Sequence, residues 1–157
     1  MPVTLQCVDH TAWDADSQLH TDLRRIYNDA PEERRPIPVD EFIQNHLAAG
    51  QVFFCARFND RLLGAMAVVE EDDVWWLSHL CVRKTTRRRG VGARLLKLVS
   101  ERAHQQGSRL CVASQHLSMA DQLLLSRVGY RPVQAGDYFA LDISVTHRSA
   151  KKGADPQ

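Results

Sequence analysis

Between Val82 and Val91 the chain changes its apolar rhythm, and that change limits the folds open to it. Before it, apolar residues come in strand-like runs. After it, Val91, Leu95, Leu98, Val99 and Ala103 fall on one face of a helix. The junction reads Arg87-Arg88-Arg89-Gly90-Val91-Gly92-Ala93. A strand over Val74–Val82, a helix from Gly90 to about Gln106 and a short apolar strand at Leu110–Ala113 form a β-α-β unit, so the two strands should run parallel.

The rest of the chain supplies the surroundings of that unit. Val3–Val8 alternates as a first strand, and Asp16 or Ser17 can cap a helix carrying Leu19, Leu23, Ile26 and Tyr27 on one face. The proline- and charge-rich stretch NDAPEERRPIP breaks the pattern as a loop. A second helix follows over Val39–Ala49, with Val39, Phe42, Ile43 and Leu47 inward and Gly50 closing it. Gln51–Phe58, the polar pair Asn59-Asp60 and Arg61–Glu70 read as a hairpin. A second acidic turn leads into Val74–Val82, making residues 51–82 a three-strand antiparallel meander. Adjacent Trp75 and Trp76 must face opposite sides of their strand, and shielding of the pair under the N-terminal helices is the favoured reading. Downstream, Ala120, Leu123, Leu124 and Val128 mark a further helix, followed by a hairpin of Tyr130–Gln134 and Tyr138–Ile143. The expected fold is α/β: a mixed, mostly antiparallel sheet with helices on both faces. It forms one domain over residues 1–145, with a disordered polar tail over 146–157.

Composition narrows the function. With 20 Lys and Arg against 19 Asp and Glu, the net charge of +1 argues against a general nucleic-acid binder. No apolar run has the length of a membrane helix, and MPVTLQCVDH lacks the pattern of a signal peptide, so a cytoplasmic protein is expected. Cys7, Cys55, Cys81 and Cys111 are scattered through apolar stretches and the histidines are dispersed. Reduced buried thiols are expected there, and no metal site.

The arginine- and glycine-rich junction carries the chemistry. Gly90 and Gly92 remove side chains where a ligand must approach the backbone. The first-turn N–H groups of the helix are unpaired, the dipole adds partial positive charge, and three arginines stand beside them. Together these features describe a pyrophosphate cradle. It is not a Walker loop, because no Gly-Lys-Ser/Thr follows, nor a dinucleotide fingerprint, because Leu95 holds the third glycine position.

Arg87-x-x-Gly90-x-Gly92, after the strand Leu80-Cys81-Val82, resembles motif A of the GCN5-related N-acetyltransferases, and Leu123–Tyr130 is similar to the end of their motif B. The resemblance spans about residues 51–134. It implies that the fourth and fifth strands splay apart around acetyl-CoA. Leu80, Cys81 and Val82 would offer backbone groups to the acetyl and pantetheine portions. Thr86, Arg87, Arg88, Arg89, Gly90, Val91, Gly92 and Ala93 would hold the phosphates. A narrower resemblance, carried by CARFNDRLLGA (Cys55–Ala65) and VRKTTRRRGVG (Val82–Gly92), is to the branch of aspartate α-decarboxylase maturation factors. In that branch the acetyl-CoA-loaded protein binds the decarboxylase, promotes its self-cleavage and limits its activity. The resemblance implies partner contact through Arg57, Asn59 and Arg61. The chain departs from that branch in its longer N-terminal region, its C-terminal strand and tail, and Cys81 where the branch carries an arginine.

Acetyl transfer to an amine needs a base and an acid. Many members of the superfamily place a tyrosine where this chain has Leu125, which can do no proton chemistry. The fourth strand offers His79, a candidate base, and Tyr27, Ser114 and His116 are weaker candidates. Two readings stay open: an acetyl-CoA-dependent regulator of aspartate decarboxylase, or a working N-acetyltransferase acting on a small amine or a protein terminus.

Overall fold

The structure, a computed structural model, describes residues 2–36, 38–115 and 117–141. Seven strands form one sheet: β1 (Thr4–Val8), β2 (Val52–Phe58), β3 (Arg61–Glu71), β4 (Val74–Val82), β5 (Arg109–Ala113), β6 (Tyr130–Val133) and β7 (Tyr138–Leu141). Their order is β1-β2-β3-β4-β5-β7-β6, antiparallel throughout except for the parallel pair β4 and β5. The expected meander and β-α-β unit are both present. The second strand of the closing hairpin, not the first, lies against β5.

Alternation along β2 divides the core between the two sheet faces. Phe53 and Cys55 face helices α1 (His10–Ala15), α2 (Ser17–Asn28) and α3 (Val39–Ala48), together with Leu19, Leu23, Ile26, Tyr27, Ile43 and Leu47. Phe54 and Ala56 face α4 (Val91–Gln105), whose Val91, Leu95, Leu96, Val99 and Ala103 are buried, and Leu125 of α5 (Met119–Arg127). Helix α2 starts where the sequence indicates, with the Asp16 carboxylate accepting from the Gln18 N–H at 2.9 Å. Helix α1, capped by Asp9, was not anticipated because its six residues present only Trp13 to the core.

Three expectations need correction. The tryptophans are not sheltered under the N-terminal helices. Trp75 stacks on Phe54 on the α4 face, and Trp76 meets Tyr138 of β7 edge-on, since β7 occupies the neighbouring position beside β5. Helix α5 buries its predicted face only in part: Leu124 and Val128 pack against the core, but Leu123 is 53% exposed and the fully buried residue is Leu125. The run Leu123-Leu124-Leu125 specifies no single face. Its orientation follows from the capping box of Ser118 and Asp121 and from packing against β6. Cys7 lies exposed on the edge strand, while Cys55, Cys81 and Cys111 are buried and all four are free thiols. Ile143, His116 and the segment 146–157 lie outside the described residues.

Two carboxylates fasten the N-terminal helices to the sheet. Asp22 of α2 is 2% exposed and accepts from Arg61 Nε and a terminal guanidinium nitrogen, from the Leu62 N–H and from Gln18 Nε2, all within 2.7–3.1 Å. Asp29, just beyond α2, accepts from Arg83 Nε at 2.7 Å and the Lys84 N–H at 3.0 Å. Burial pushes both carboxyls up, but these donors outweigh it and hold them below the ordinary carboxylate value of 3.8. A carboxyl depressed in the folded state contributes stability above its unfolded pKa and loses it as pH falls through the folded value. The urea midpoint should therefore stay level from neutrality to about pH 5 and drop below about pH 4. A midpoint unchanged at about pH 3 would contradict these assignments.

Candidate functional site: a cleft between two diverging strands

Strands β4 and β5 pair only from Val74↔Arg109 to Leu77↔Val112, although β4 continues to Val82. Past Leu77 the two strands separate. A cleft of about 680 Å³ opens between them, walled by Leu80, Val82, Gly92, Leu117, Leu124 and Leu125, among others. That is a volume suited to an organic ligand.

Backbone direction on β4 follows from its register with β3. The Arg83 N–H donates to the Leu63 carbonyl at 2.8 Å, and Cys81 stands opposite Ala65 two residues earlier. By the alternation of an antiparallel ladder, the N–H and C=O groups of Leu80 and Val82 turn the other way, toward the side that β5 has left. A register slip interrupts β4 just before this stretch. Ala67 pairs with Ser78 and Ala65 with Cys81, so β4 carries one extra residue there, and His79 takes a left-handed φ of 54°.

At the far end of the cleft, α4 opens on Gly90, whose φ of 78° lies in the left-handed region and which provides no side-chain cap. Among the described residues, no acceptor meets the amide N–H groups from Arg88 through Ala93. Six successive amide donors thus lack an intramolecular acceptor at a helix N-terminus, beside the exposed side chains of Arg88 and Arg89. A methyl group added at Gly92 would lie 3.7–4.0 Å from Val82, Leu124 and Leu80, so the residue sits against the cleft wall with room for a ligand to approach. This donor set fits a pyrophosphate.

The remaining residues expected at the phosphates, Thr86 and Arg87, also bond within the loop. Thr86 Oγ1 donates to the Arg83 carbonyl at 3.1 Å. Arg87 donates to the Val82 carbonyl and to the Asp29 carbonyl, and so ties the loop to β4 and to the end of α2. Asp29 and Arg83 are therefore parts of the site that sequence reading missed. Neither belongs to a motif, and they meet only through the tertiary fold. Across the opposite rim, Arg34 of the proline-rich loop pairs with Asp121 of α5 at 2.6 Å. The cleft wall at Cys81 is sealed by its thiol, which donates to the Ile26 carbonyl. Burial raises the Cys81 pKa even though Arg87 nearby lowers it.

The candidates for proton transfer separate clearly. His79 is exposed at the bulge, with Nδ1 2.9 Å from Ser78 Oγ and its ring 4.6 Å from that of Phe42. Tyr27 is buried, and its hydroxyl is spent donating to the His79 carbonyl at 2.8 Å. Burial raises its pKa well above the ordinary tyrosine value, so it is a poor acid. Leu125 fills the position of the missing tyrosine as part of the cleft wall. Tyr130 is buried in the α4-side core, and Ser114 Oγ is buried without a partner among the described residues. Among the described residues, no group of three or more His, Cys, Asp or Glu could hold a metal ion.

The hairpin of β2 and β3 lies apart from this chemistry. Asn59 and Asp60, with φ of 50° and 64°, make the tight turn, and Asn59 is exposed at its tip. Arg57 is held by Gln6 and Asp60, at 2.7 and 2.9 Å. Arg61 is a strut on Asp22.

A sheet split between parallel fourth and fifth strands, with an amide-lined helix start at the split, defines the acetyltransferase class of folds. Solved structures agree. The chain superposes on the ribosomal-protein-S18-alanine N-acetyltransferase of Escherichia coli with a TM-score of 0.65, at 16% identity over 89% of this chain and 93% of that one. The PaiA N-acetyltransferase of Thermoplasma acidophilum, solved with coenzyme A, gives a TM-score of 0.63 at 12% identity, covering 89% of this chain and 98% of that one. At these identities the likeness establishes the fold alone. Residues 3–128 match the family model described as "Acetyltransferase (GNAT) domain, PanZ", and the chain belongs to that family. It is also 50% identical over 46 residues to the PanD regulatory factor of Salmonella typhimurium, a match that spans 29% of this chain and 36% of that protein. Among the described residues no helix is long and apolar enough to cross a membrane.

Proposed function

We propose that this chain is an acetyl-CoA-dependent regulator of PanD, the aspartate 1-decarboxylase of pantothenate biosynthesis. Acetyl-CoA would lie in the β4–β5 cleft. Its pyrophosphate would meet the amides of Arg88 through Ala93 and the side chains of Arg88 and Arg89, and its pantetheine arm would follow Leu80 and Val82. The observation that carries the regulatory reading is the pairing of a complete phosphate cradle with Leu125, an apolar side chain, at the position where a tyrosine would protonate a leaving thiolate. Membership of the PanZ family and the match to a PanD regulatory factor support the choice of partner. The exposed turn at Asn59, flanked by Arg57, is the contact surface we assign, with Arg61 holding it in shape.

Calorimetry against the host's decarboxylase proenzyme, with and without saturating acetyl-CoA, tests this. Binding that appears only with acetyl-CoA is the expected result. No binding in either condition would sink the regulatory role. The position of His79 at the inner end of the cleft favours a second reading, N-acetyl transfer to a small amine or a protein terminus. Thiol release over an amine panel would report it, and His79→Ala should then abolish turnover.

A further inference from the structure

The acyl end of a ligand held in this cleft has a defined address. From a pyrophosphate at Gly90–Gly92, an arm laid along the open edge of β4 runs back from Val82 toward Ser78, about 13 Å at the rise of a strand. It ends where β4 and β5 rejoin, at Leu77↔Val112. The residue at that closed end is His79, with its extra-residue bulge and left-handed backbone.

At the bulge the His79 carbonyl accepts from the buried hydroxyl of Tyr27 at 2.8 Å. A trans peptide points its C=O and N–H in opposite directions. With the His79 carbonyl held toward α2, the N–H of Leu80 in the same peptide is aimed away from α2, and the β3 register independently turns Leu80 toward the open side of β4. The Tyr27 ring is itself fixed, edge-on to Phe42 at 5.2 Å and tilted against Phe53 at 5.9 Å.

We infer that Tyr27 is a positioning residue for acyl recognition: its hydroxyl locks the His79–Leu80 peptide so that the Leu80 amide donates to the acyl carbonyl of the ligand. The inference rests on the reading of the cleft as an acetyl-CoA site. It makes Tyr27 the source of discrimination between acetyl-CoA and free CoA, which lacks that carbonyl. A left-handed non-glycine residue is strained and needs such a restraint to persist.

The test is calorimetric titration of acetyl-CoA and of CoA into the wild type, Tyr27→Phe and, as a packing control in the same aromatic cluster, Phe53→Leu. Wild type should prefer acetyl-CoA roughly tenfold, the effect of one hydrogen bond. Tyr27→Phe should bring the ratio to about one by weakening acetyl-CoA binding alone, and Phe53→Leu should leave the ratio unchanged. An unaltered ratio in Tyr27→Phe, or equal loss of both ligands, would overturn the inference while leaving the cleft reading intact. Wild type binding neither ligand would overturn both. Should Tyr27→Phe fail to fold, wild-type protein labelled with 15N-leucine decides the matter. The Leu80 amide proton should move downfield with acetyl-CoA relative to CoA, and coincident positions would refute the assignment.

Discussion

Gly92→Asp is expected to lower acetyl-CoA affinity by at least about 100-fold while leaving the melting temperature at or slightly above that of the wild type. The two halves of this result have separate causes. The added Cβ meets its neighbours at 3.7–4.0 Å, ordinary contact distance, so the substitution fits the fold without displacing a side chain. An acidic residue in the first turn of α4 also interacts favourably with the helix dipole, by about 0.5 kcal/mol. The same carboxylate stands among the amides that would bind phosphate. Two like charges about 4 Å apart at an effective dielectric near 20 repel by about 4 kcal/mol, which exceeds the loss required. Calorimetry or ligand-induced thermal shift would read the affinity, and circular dichroism the fold. Retained affinity in a folded Gly92→Asp protein would remove the cradle from consideration. Gly90→Asp makes a harsher companion, because its φ of 78° strains any L side chain as well.

The second large effect is on stability. Asp22→Ala should destabilise the protein by about 3 kcal/mol, through loss of a buried charge-assisted network and an unsatisfied Leu62 N–H. For a chain of this size that corresponds to a fall of roughly 10 °C in melting temperature. Asp22 is 2% exposed and receives donors from α2, from the β2–β3 hairpin and from the β3 backbone, so no single partner can replace it. The variant should also lose the fixed geometry of Arg61, and with it the ordered flank of the Asn59 turn. Weakened decarboxylase binding is then expected even at temperatures where the protein remains folded. A melting temperature within about 2 °C of wild type would show that the network contributes little.

These two residues differ in how far the sequence reveals them. Gly92 announces itself, because a helix start, its glycines and its arginines are neighbours in the chain and their spacing alone describes a phosphate site. The strands of the meander, the helices α2, α3 and α4 and the parallel β4–β5 pair were legible for the same reason: strand alternation and helical period are local patterns. Asp22 offers no such signal. It reads as one polar residue on an amphipathic helix, and its value appears only when Arg61, 39 residues away, folds onto it.

What the sequence determined, then, was the sheet with its two covered faces, the break between β4 and α4, and the family to which the glycine-rich junction belongs. The tertiary structure decided which of the polar candidates also bond within the fold. Thr86, Arg87 and Arg61, expected at a ligand or a partner, each donate to another part of the chain. Tyr27, a weak candidate for proton transfer, proved to be the donor to the bulge at His79, 52 residues away. Arg83 found Asp29 across 54 residues, and Arg34 found Asp121 across 87. Which face α5 buries, and where the two tryptophans lie, was settled by capping and by the insertion of β7 beside β5. The reason is common to all of these. Periodicity records which side of an element avoids water, whereas a single hydrogen bond between distant residues repeats nowhere in the chain and takes its partner only from the packing that brings the elements together.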